Sequence, residues 1–258
     1  MEYANHLKEY ASAMSEAQVA EEVDRIRKAA VRNHTPEVYK LCYSAVDLTT
    51  LSCTDSVESV TEFAGKAVKF YQQFPHLPNV ASICIYPPFV ETVGVVVDGT
   101  DMRITSVAGG FPSSQTFLEV KVLEVAMAVE NGADEIDMVI NIGFLKDRRY
   151  EEIENEIRQI HEACGGKILK VIIETCLLTD EEKIKMCEIV TKAGAEYIKT
   201  STGFSTAGAN FADVALMKKH VGANAKVKAA GGISSFDDAE EFIRLGADRL
   251  GTSRLVKI

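Results

Sequence analysis

The sequence predicts an α/β fold, a single (β/α)8 barrel of the TIM type with an N-terminal helical extension, and three observations predict it. From residue 40 onward, short runs rich in β-branched residues alternate with stretches of helical period. Eight such runs fall within roughly 215 residues, and a (β/α)8 barrel typically takes about 250. The phrase Asn131-Gly-Ala-Asp-Glu135 recurs as Ala193-Gly-Ala-Glu-Tyr197 and as Leu245-Gly-Ala-Asp-Arg249, each time before a strand-like run. A helix ending in glycine, then Ala-acidic and a strand, is one α-to-β connection used three times. The doubly wound alternative brings fewer strands and a glycine-rich first turn, and neither G-x-G-x-x-G nor G-x-x-x-x-G-K-S/T occurs.

The elements follow in order. In residues 1–40, Val19, Val23, Ile26 and Ala30 recur at helical spacing between charged residues, so this extension is expected to hold an amphipathic helix. No Pro/Gly/Ser linker follows, and the helix is expected to pack on the barrel, residues 41–258. Strands are expected at Lys40–Asp47, Val80–Tyr86, Met102–Ala108, Glu135–Asn141, Ile168–Glu174, Tyr197–Thr202, Lys226–Ala230 and Arg249–Thr252. Helices are expected between them, among others at Ser114–Glu130, Tyr150–Ala163, Asp180–Ala193, Asp213–His220 and Ser235–Leu245.

Composition narrows the function classes. With 28 Lys and Arg against 38 Asp and Glu, the formal charge is −10. An acidic chain gains nothing from releasing phosphate counterions, so no nucleic-acid partner is expected. No membrane span is expected either, since the apolar stretch Val80–Val97 is interrupted by Pro87, Pro88 and Glu91. The N-terminus, MEYANHLKEY, lacks a basic segment followed by an apolar one, so no signal peptide is read. Six scattered cysteines without a C-x-x-C pair fit buried thiols in a reducing, cytoplasmic setting.

Chemistry in such a barrel sits at the carboxyl ends of the strands. Lys199, in Tyr197-Ile-Lys-Thr-Ser-Thr-Gly203, lies near the end of the sixth strand, and Lys228, in Val227-Lys-Ala-Ala-Gly-Gly232, lies in the seventh. If both face inward, each suppresses the other's protonation. A like charge at about 5 Å is worth roughly 3 kcal/mol at an effective dielectric of about 20. That makes a neutral, nucleophilic amine accessible near neutral pH, as a Schiff-base lysine requires. Either lysine alone could simply reach solvent or close a structural ion pair; two on adjacent strands with apolar neighbours favour chemistry.

Asp137 stands mid-strand among apolar residues and needs a partner, for which an inward lysine, including Lys170 of the fifth strand, is suited. It is read either as a proton relay or as a structural ion pair. Asp47 is read either as a strand-end acid or as a helix cap. Gly203, Gly231 with Gly232, and Leu250-Gly-Thr-Ser-Arg254 close consecutive strands. Their backbone N–H groups, with the Ser253 hydroxyl and the Arg254 charge, suit a phosphate. The histidines at 6, 34, 76, 161 and 220 fall on helices or loops, so no metal site and no cofactor is expected.

On these residues the chain resembles the deoxyribose-phosphate aldolases, a class I aldolase family. The resemblance rests on Val46-Asp-Leu-Thr-Thr50, Ile83-Cys-Ile-Tyr-Pro87, Gly110-Phe-Pro112, Gly132-Ala-Asp-Glu-Ile-Asp-Met-Val139, Leu169-Lys-Val-Ile-Ile-Glu174, Ile198-Lys-Thr-Ser-Thr-Gly203, Lys228-Ala-Ala-Gly-Gly-Ile233 and Gly251-Thr-Ser253, in consistent order. It implies reversible cleavage of 2-deoxy-D-ribose 5-phosphate to glyceraldehyde 3-phosphate and acetaldehyde, in carbohydrate catabolism, by a homodimer. It also implies Lys199 as the Schiff-base lysine, Lys228 as the lysine that lowers its pKa and Asp137 as the proton relay. Asp47 and Lys170 would line the site, and Gly203, Gly231, Gly232, Gly251 and Ser253 would bind phosphate. The chain departs from the family pattern at Ala229, where many members have proline, and at Phe204, where some have a lysine near the phosphate, so Arg254 is expected to supply that charge. It ends at Ile258, without the tail that assists proton transfer in some members. The alternatives are another Schiff-base sugar-phosphate aldolase, which would share Lys199, and a barrel that binds sugar phosphate without catalysis.

Overall fold

A computed structural model gives the fold and describes residues 15–30 and 35–256. Residues 1–14 and 31–34 of the expected extension, with His6 and His34, lie outside the described residues.

Eight parallel strands close a barrel in sequence order. They are β1 Val46–Thr49, β2 Ser82–Ile85, β3 Arg103–Ala108, β4 Glu135–Val139, β5 Ile168–Ile172, β6 Tyr197–Lys199, β7 Lys226–Ala230 and β8 Arg249–Thr252. β8 pairs back onto β1, with Val46 opposite Leu250 and Asp47 opposite Gly251. The helices are α1 Glu16–Ala30, α2 Pro36–Ser44, α3 Val57–Gln73, α4 Val90–Val97, α5 Leu118–Glu130, α6 Ile142–Lys146, α7 Tyr150–Ala163, α8 Asp180–Ala193, α9 Phe211–His220 and α10 Phe236–Arg244.

Successive strand side chains point to opposite faces, and here the two faces differ sharply in chemistry. Val46, Leu48, Ile83, Ile85, Ile136, Met138, Leu169, Val171, Ile198, Val227 and Leu250 join the apolar core beneath the helices. The residues between them, including Asp47, Ser82, Thr105, Glu135, Asp137, Lys170 and Lys228, are buried inside the barrel. An eight-stranded barrel is just wide enough for side chains to fill it, so these polar groups neutralise one another rather than being hydrated.

Helix termini follow local chemistry. Thr179 accepts from the Glu182 N–H while Glu182 reaches back, a capping box that starts α8, and Gly194 ends it at φ +87°. Ser235 with Asp238 starts α10 in the same way. Val23 and Ile26 of α1 are half-buried against the main core.

Three expected elements differ by more than two residues, the shortest being the sixth strand, which ends at Lys199 rather than Thr202. Lys40–Ser44 belongs to α2, not to the first strand: Thr35 caps the Val38 N–H and Pro36 opens the helix. Only Val46–Thr49 is strand, because the run's apolar content alone does not separate a short buried helix from a strand. The stretch from Ser114 is helical only from Leu118, since Ser114 takes φ +60° in the turn after β3. Among the described residues no helix is long and apolar enough to cross a membrane.

The outer face of β4 carries much of the packing, and Ile136 is fully buried there. Ile136→Ala is expected to cost about 2–5 kcal/mol, read as a lowered urea midpoint.

Candidate active site

Lys199 is the last residue of β6 and stands opposite Lys228 of β7 in register. Asp137 of β4 reaches across the barrel to both. Its Oδ2 accepts from Lys199 Nζ and from Lys228 Nζ, each at 2.6 Å. Its Oδ1 accepts from Lys170 Nζ at 2.8 Å. The network continues toward the amino ends of the strands. Lys228 Nζ is 2.5 Å from Asp47 Oδ2, and Lys170 Nζ is 2.7 Å from Glu135 Oε2. Arg249, first residue of β8, closes it, donating to Asp47 at 2.5 Å and to Glu135 at 2.9 Å.

The two strand-end lysines part in their proton affinities. Burial pushes the Lys199 amine below the ordinary lysine range, and the charge of Lys228 adds to that against the pull of Asp137. Burial acts on Lys228 too, but Asp137 and Asp47 outweigh it and hold this ammonium above the ordinary range. Asp137 itself is disfavoured as an anion by burial, yet Lys170, Lys199 and Lys228 together hold it well below the carboxylate range. The asymmetry is geometric: Asp137 is served by three cations, whereas Lys199 has one carboxylate and shares it.

The Lys199 side chain is 4% exposed. That small exposed part faces a cavity of about 210 Å³ at the carboxyl ends of the strands. Gly203, Gly231, Gly232, Gly251, Ser253 and Arg254 line the same cavity, so the expected phosphate residues come together beside the expected nucleophile. Gly231 and Gly232 have φ of +81° and +82°, conformations that suit glycine. The loop after β6 lies tight against them; a Cβ on Gly208 would come within 2.4 Å of the Gly231 carbonyl carbon.

Asp47 and Lys170, expected to line the site, are not among the residues that line this cavity. Both are fully buried below it, where they are tied into the ion network. Lys228 and Asp137 are likewise behind Lys199 and out of solvent.

Sequence reasoning missed several groups. Glu174 follows β5 at φ +54° and accepts the Thr202 N–H at 3.2 Å and the Thr202 hydroxyl, bracing the loop that carries Gly203. An acid ending the apolar run Lys170-Val-Ile-Ile-Glu174 was the available signal. Thr49, Leu51 and Thr202 also line the cavity. Phe204, next to Gly203, is half-exposed and packs edge-on to Phe111, ring centroids 5.6 Å apart. Glu135 and Arg249 gave no usable signal, because each opens a strand at the end away from the chemistry.

A second cavity, about 560 Å³, opens at the amino ends of the strands and is lined by Arg103, Tyr197, Lys226 and Arg249. It is larger, but its lysine, Lys226, is exposed rather than desolvated, so the smaller cavity is the better place for amine chemistry. His161 pairs with Glu196 on the helical shell, and neither His76 nor His220 lines either cavity. Among the described residues no group of three His, Cys, Asp or Glu side chains is placed to hold a metal ion. The arrangement offers a desolvated amine, a carboxylate bonded to it, and a cavity walled by glycine backbone that an anion could approach. Those parts suit addition to the carbonyl of a phosphorylated substrate.

A model of the DeoC/LacD family of aldolases matches residues 41–250. The deoxyribose-phosphate aldolase of Clostridioides difficile (strain 630) is 48% identical over 213 residues, 83% of this chain and 93% of the relative. That of Streptococcus agalactiae (serotype Ia) is 54% identical over 180 residues, 70% of this chain and 80% of the relative. Among solved structures, the tetrameric deoxyribose phosphate aldolase from Aeropyrum pernix superposes with a TM-score of 0.78 at 28% identity, over 90% of this chain and 94% of that one. An aldolase called QR15 gives 0.77 at 32% identity, over 87% and 95%.

Holding Lys199 below its unfolded pKa costs stability. The unfolded lysine binds its proton below about pH 10.4, so the cost is complete below the lower, folded pKa, fades as pH rises from there, and is gone above about pH 10.4. Lys199→Met is therefore expected to raise stability at neutral pH by about 1 kcal/mol. The gain should shrink when urea midpoints are compared at pH 10.

Proposed function

This chain belongs to the DeoC/LacD family of aldolases, and from that membership and the desolvated Lys199 beside its anion cradle we propose a class I, Schiff-base aldolase. Its reaction is the reversible cleavage of 2-deoxy-D-ribose 5-phosphate to D-glyceraldehyde 3-phosphate and acetaldehyde. The observation that carries the mechanism is one carboxylate, Asp137, shared by three lysines of which only Lys199 touches the cavity.

In this reading the neutral Lys199 amine attacks C1 of the open-chain aldehyde. A C–N bond forms, a nitrogen proton passes to the oxygen, and a further proton, drawn from the Lys228 ammonium, lets that oxygen leave as water and leaves a protonated imine. That cation is an electron sink. The C2–C3 bond breaks, because two carbons leave as acetaldehyde and three as glyceraldehyde 3-phosphate. The C3 hydroxyl gives up its proton as C3 becomes an aldehyde, and the electron pair enters an enamine at C1–C2. Protonation of C2 regenerates the imine, and water releases acetaldehyde and the free lysine. Asp137 and Lys228 move the protons, since the Asp137 carboxylate bridges both amines.

Gly203, Gly231, Gly232, Gly251 and Ser253 are assigned to the phosphate, with Arg254 supplying the charge that the family's lysine supplies elsewhere. Lys170 and Asp47 are assigned a supporting role: they fix Asp137 and Lys228 from below. Homodimeric assembly, a cytoplasmic location and a role in breaking down deoxyribose phosphate belong to the same proposal and rest on the family membership.

The test is reductive trapping with acetaldehyde and borohydride followed by peptide mapping. The adduct is expected on Lys199, and Lys199→Ala should lose activity by on the order of 10⁴-fold or more while remaining folded. An adduct on Lys170 or Lys228 would move the nucleophile, and no adduct on a folded protein that still binds the sugar phosphate would favour a non-catalytic binder. Arg254→Gln should raise KM for 2-deoxy-D-ribose 5-phosphate roughly tenfold, the value of one charge-assisted contact. It should leave turnover of unphosphorylated deoxyribose nearly unchanged.

A further inference from the structure

Four basic and three acidic side chains are buried inside the barrel: Lys170, Lys199, Lys228 and Arg249 against Asp47, Glu135 and Asp137. The carboxylates are unequally shared. Lys170 faces all three, at 3.5 Å from Asp47, 2.7 Å from Glu135 and 2.8 Å from Asp137. Lys228 faces two, Asp47 at 2.5 Å and Asp137 at 2.6 Å. Lys199 faces one, Asp137 at 2.6 Å, and that oxygen is also taken by Lys228. Arg249, at the far end, occupies Asp47 Oδ1 at 2.5 Å and both Glu135 oxygens at 2.9 and 3.1 Å. A guanidinium does not give up its proton, so the surplus positive charge must be shed by an amine.

We propose that Arg249 is a positioning residue for Lys199: by occupying Asp47 and Glu135 from the opposite end of the barrel, it leaves the strand-end amine as the cation that reaches only one carboxylate, already shared with Lys170 and Lys228. The inference rests on the Schiff-base reading and extends it to a residue that cannot touch substrate. The other groups facing Arg249 do not offset it. Arg103 reaches Glu135 at 3.3 Å but is 54% exposed and screened by water. The Tyr197 ring lies under the guanidinium at 5.5 Å, with Lys226 over the same ring at 5.6 Å near solvent. Around Lys199 the remaining neighbour is the Cys84 thiol, which burial keeps neutral.

The experiment follows the pH dependence of Lys199 trapping by acetaldehyde and cyanoborohydride in the full chain, since this donor carries no titrating phosphate. Arg249→Met removes the surplus charge and is expected to move the half-maximal pH up by on the order of one unit. Glu135→Gln adds to the surplus and should move it down. Arg249→Met with Glu135→Gln restores the balance and should return the midpoint to within a few tenths of wild type, and Arg249→Lys should leave it in place. A purely structural Arg249 would lower yield or stability without this sign pattern. If Arg249→Met does not fold, Glu135→Gln and the double variant still carry the sign test. Midpoints that coincide, or that move the same way in both single variants, overturn the proposal. Absence of a Lys199 adduct in the wild type overturns instead the Schiff-base reading on which it rests.

Discussion

The structure depends on one constraint: a closed eight-stranded barrel packed with ionisable side chains that are buried except at its two ends, where Lys199 and Arg249 meet cavities. Each charge must be answered by its neighbours, and the answer is a chain of shared carboxylates from Arg249 through Asp47 and Glu135 to Asp137. Buried ion pairs of this kind are weak contributors to net stability, because desolvation offsets much of the attraction. The apolar layer between strands and helices, where Val46, Ile83, Ile136, Val171, Ile198 and Leu250 are buried, therefore holds the fold, and the interior is left for chemistry.

Strand periodicity links the two layers. The same alternation that turns Ile198 outward turns Lys199 inward, and the register that places Lys199 opposite Lys228 belongs to the sheet rather than to any loop. A nucleophile on a strand is fixed by ladder hydrogen bonds on both sides, so its distance to Asp137 is set by backbone geometry. Loops supply what strands cannot, namely glycine backbone that lets an anion approach closely. They are braced in turn by groups such as Glu174 on Thr202.

The helical shell adds a second buried pair with a bearing on the Phe111–Phe204 contact. Lys121 of α5 donates to Ser114 and to Glu156 of α7, each at 2.6 Å. Ser114 sits in the turn that carries Phe111, and Gly110 N–H in the same turn donates to Glu124 at 2.9 Å. The Phe111–Phe204 contact is thus tied to the packing of α5 on α7.

Much of this was legible in one dimension. Repeated Gly-Ala-acidic junctions and eight β-branched runs specify a barrel because strand and helix periods are local properties of the chain. Lysine in an apolar strand marks chemistry because burying an ammonium is costly wherever it occurs, and the glycines at consecutive strand ends mark a cradle. The boundary between α2 and β1 was not legible, since a short apolar run fits either period until its cap is seen. Nor could the sequence say that Asp47 and Lys170 lie beneath the cavity while Arg254 lies in it. Those depths depend on the tilt and register of closed strands, long-range quantities that arise only when β8 meets β1. The role of Asp137 as the carboxylate common to three lysines is of the same kind: its partners lie 33, 62 and 91 residues away, and only closure brings them to one point.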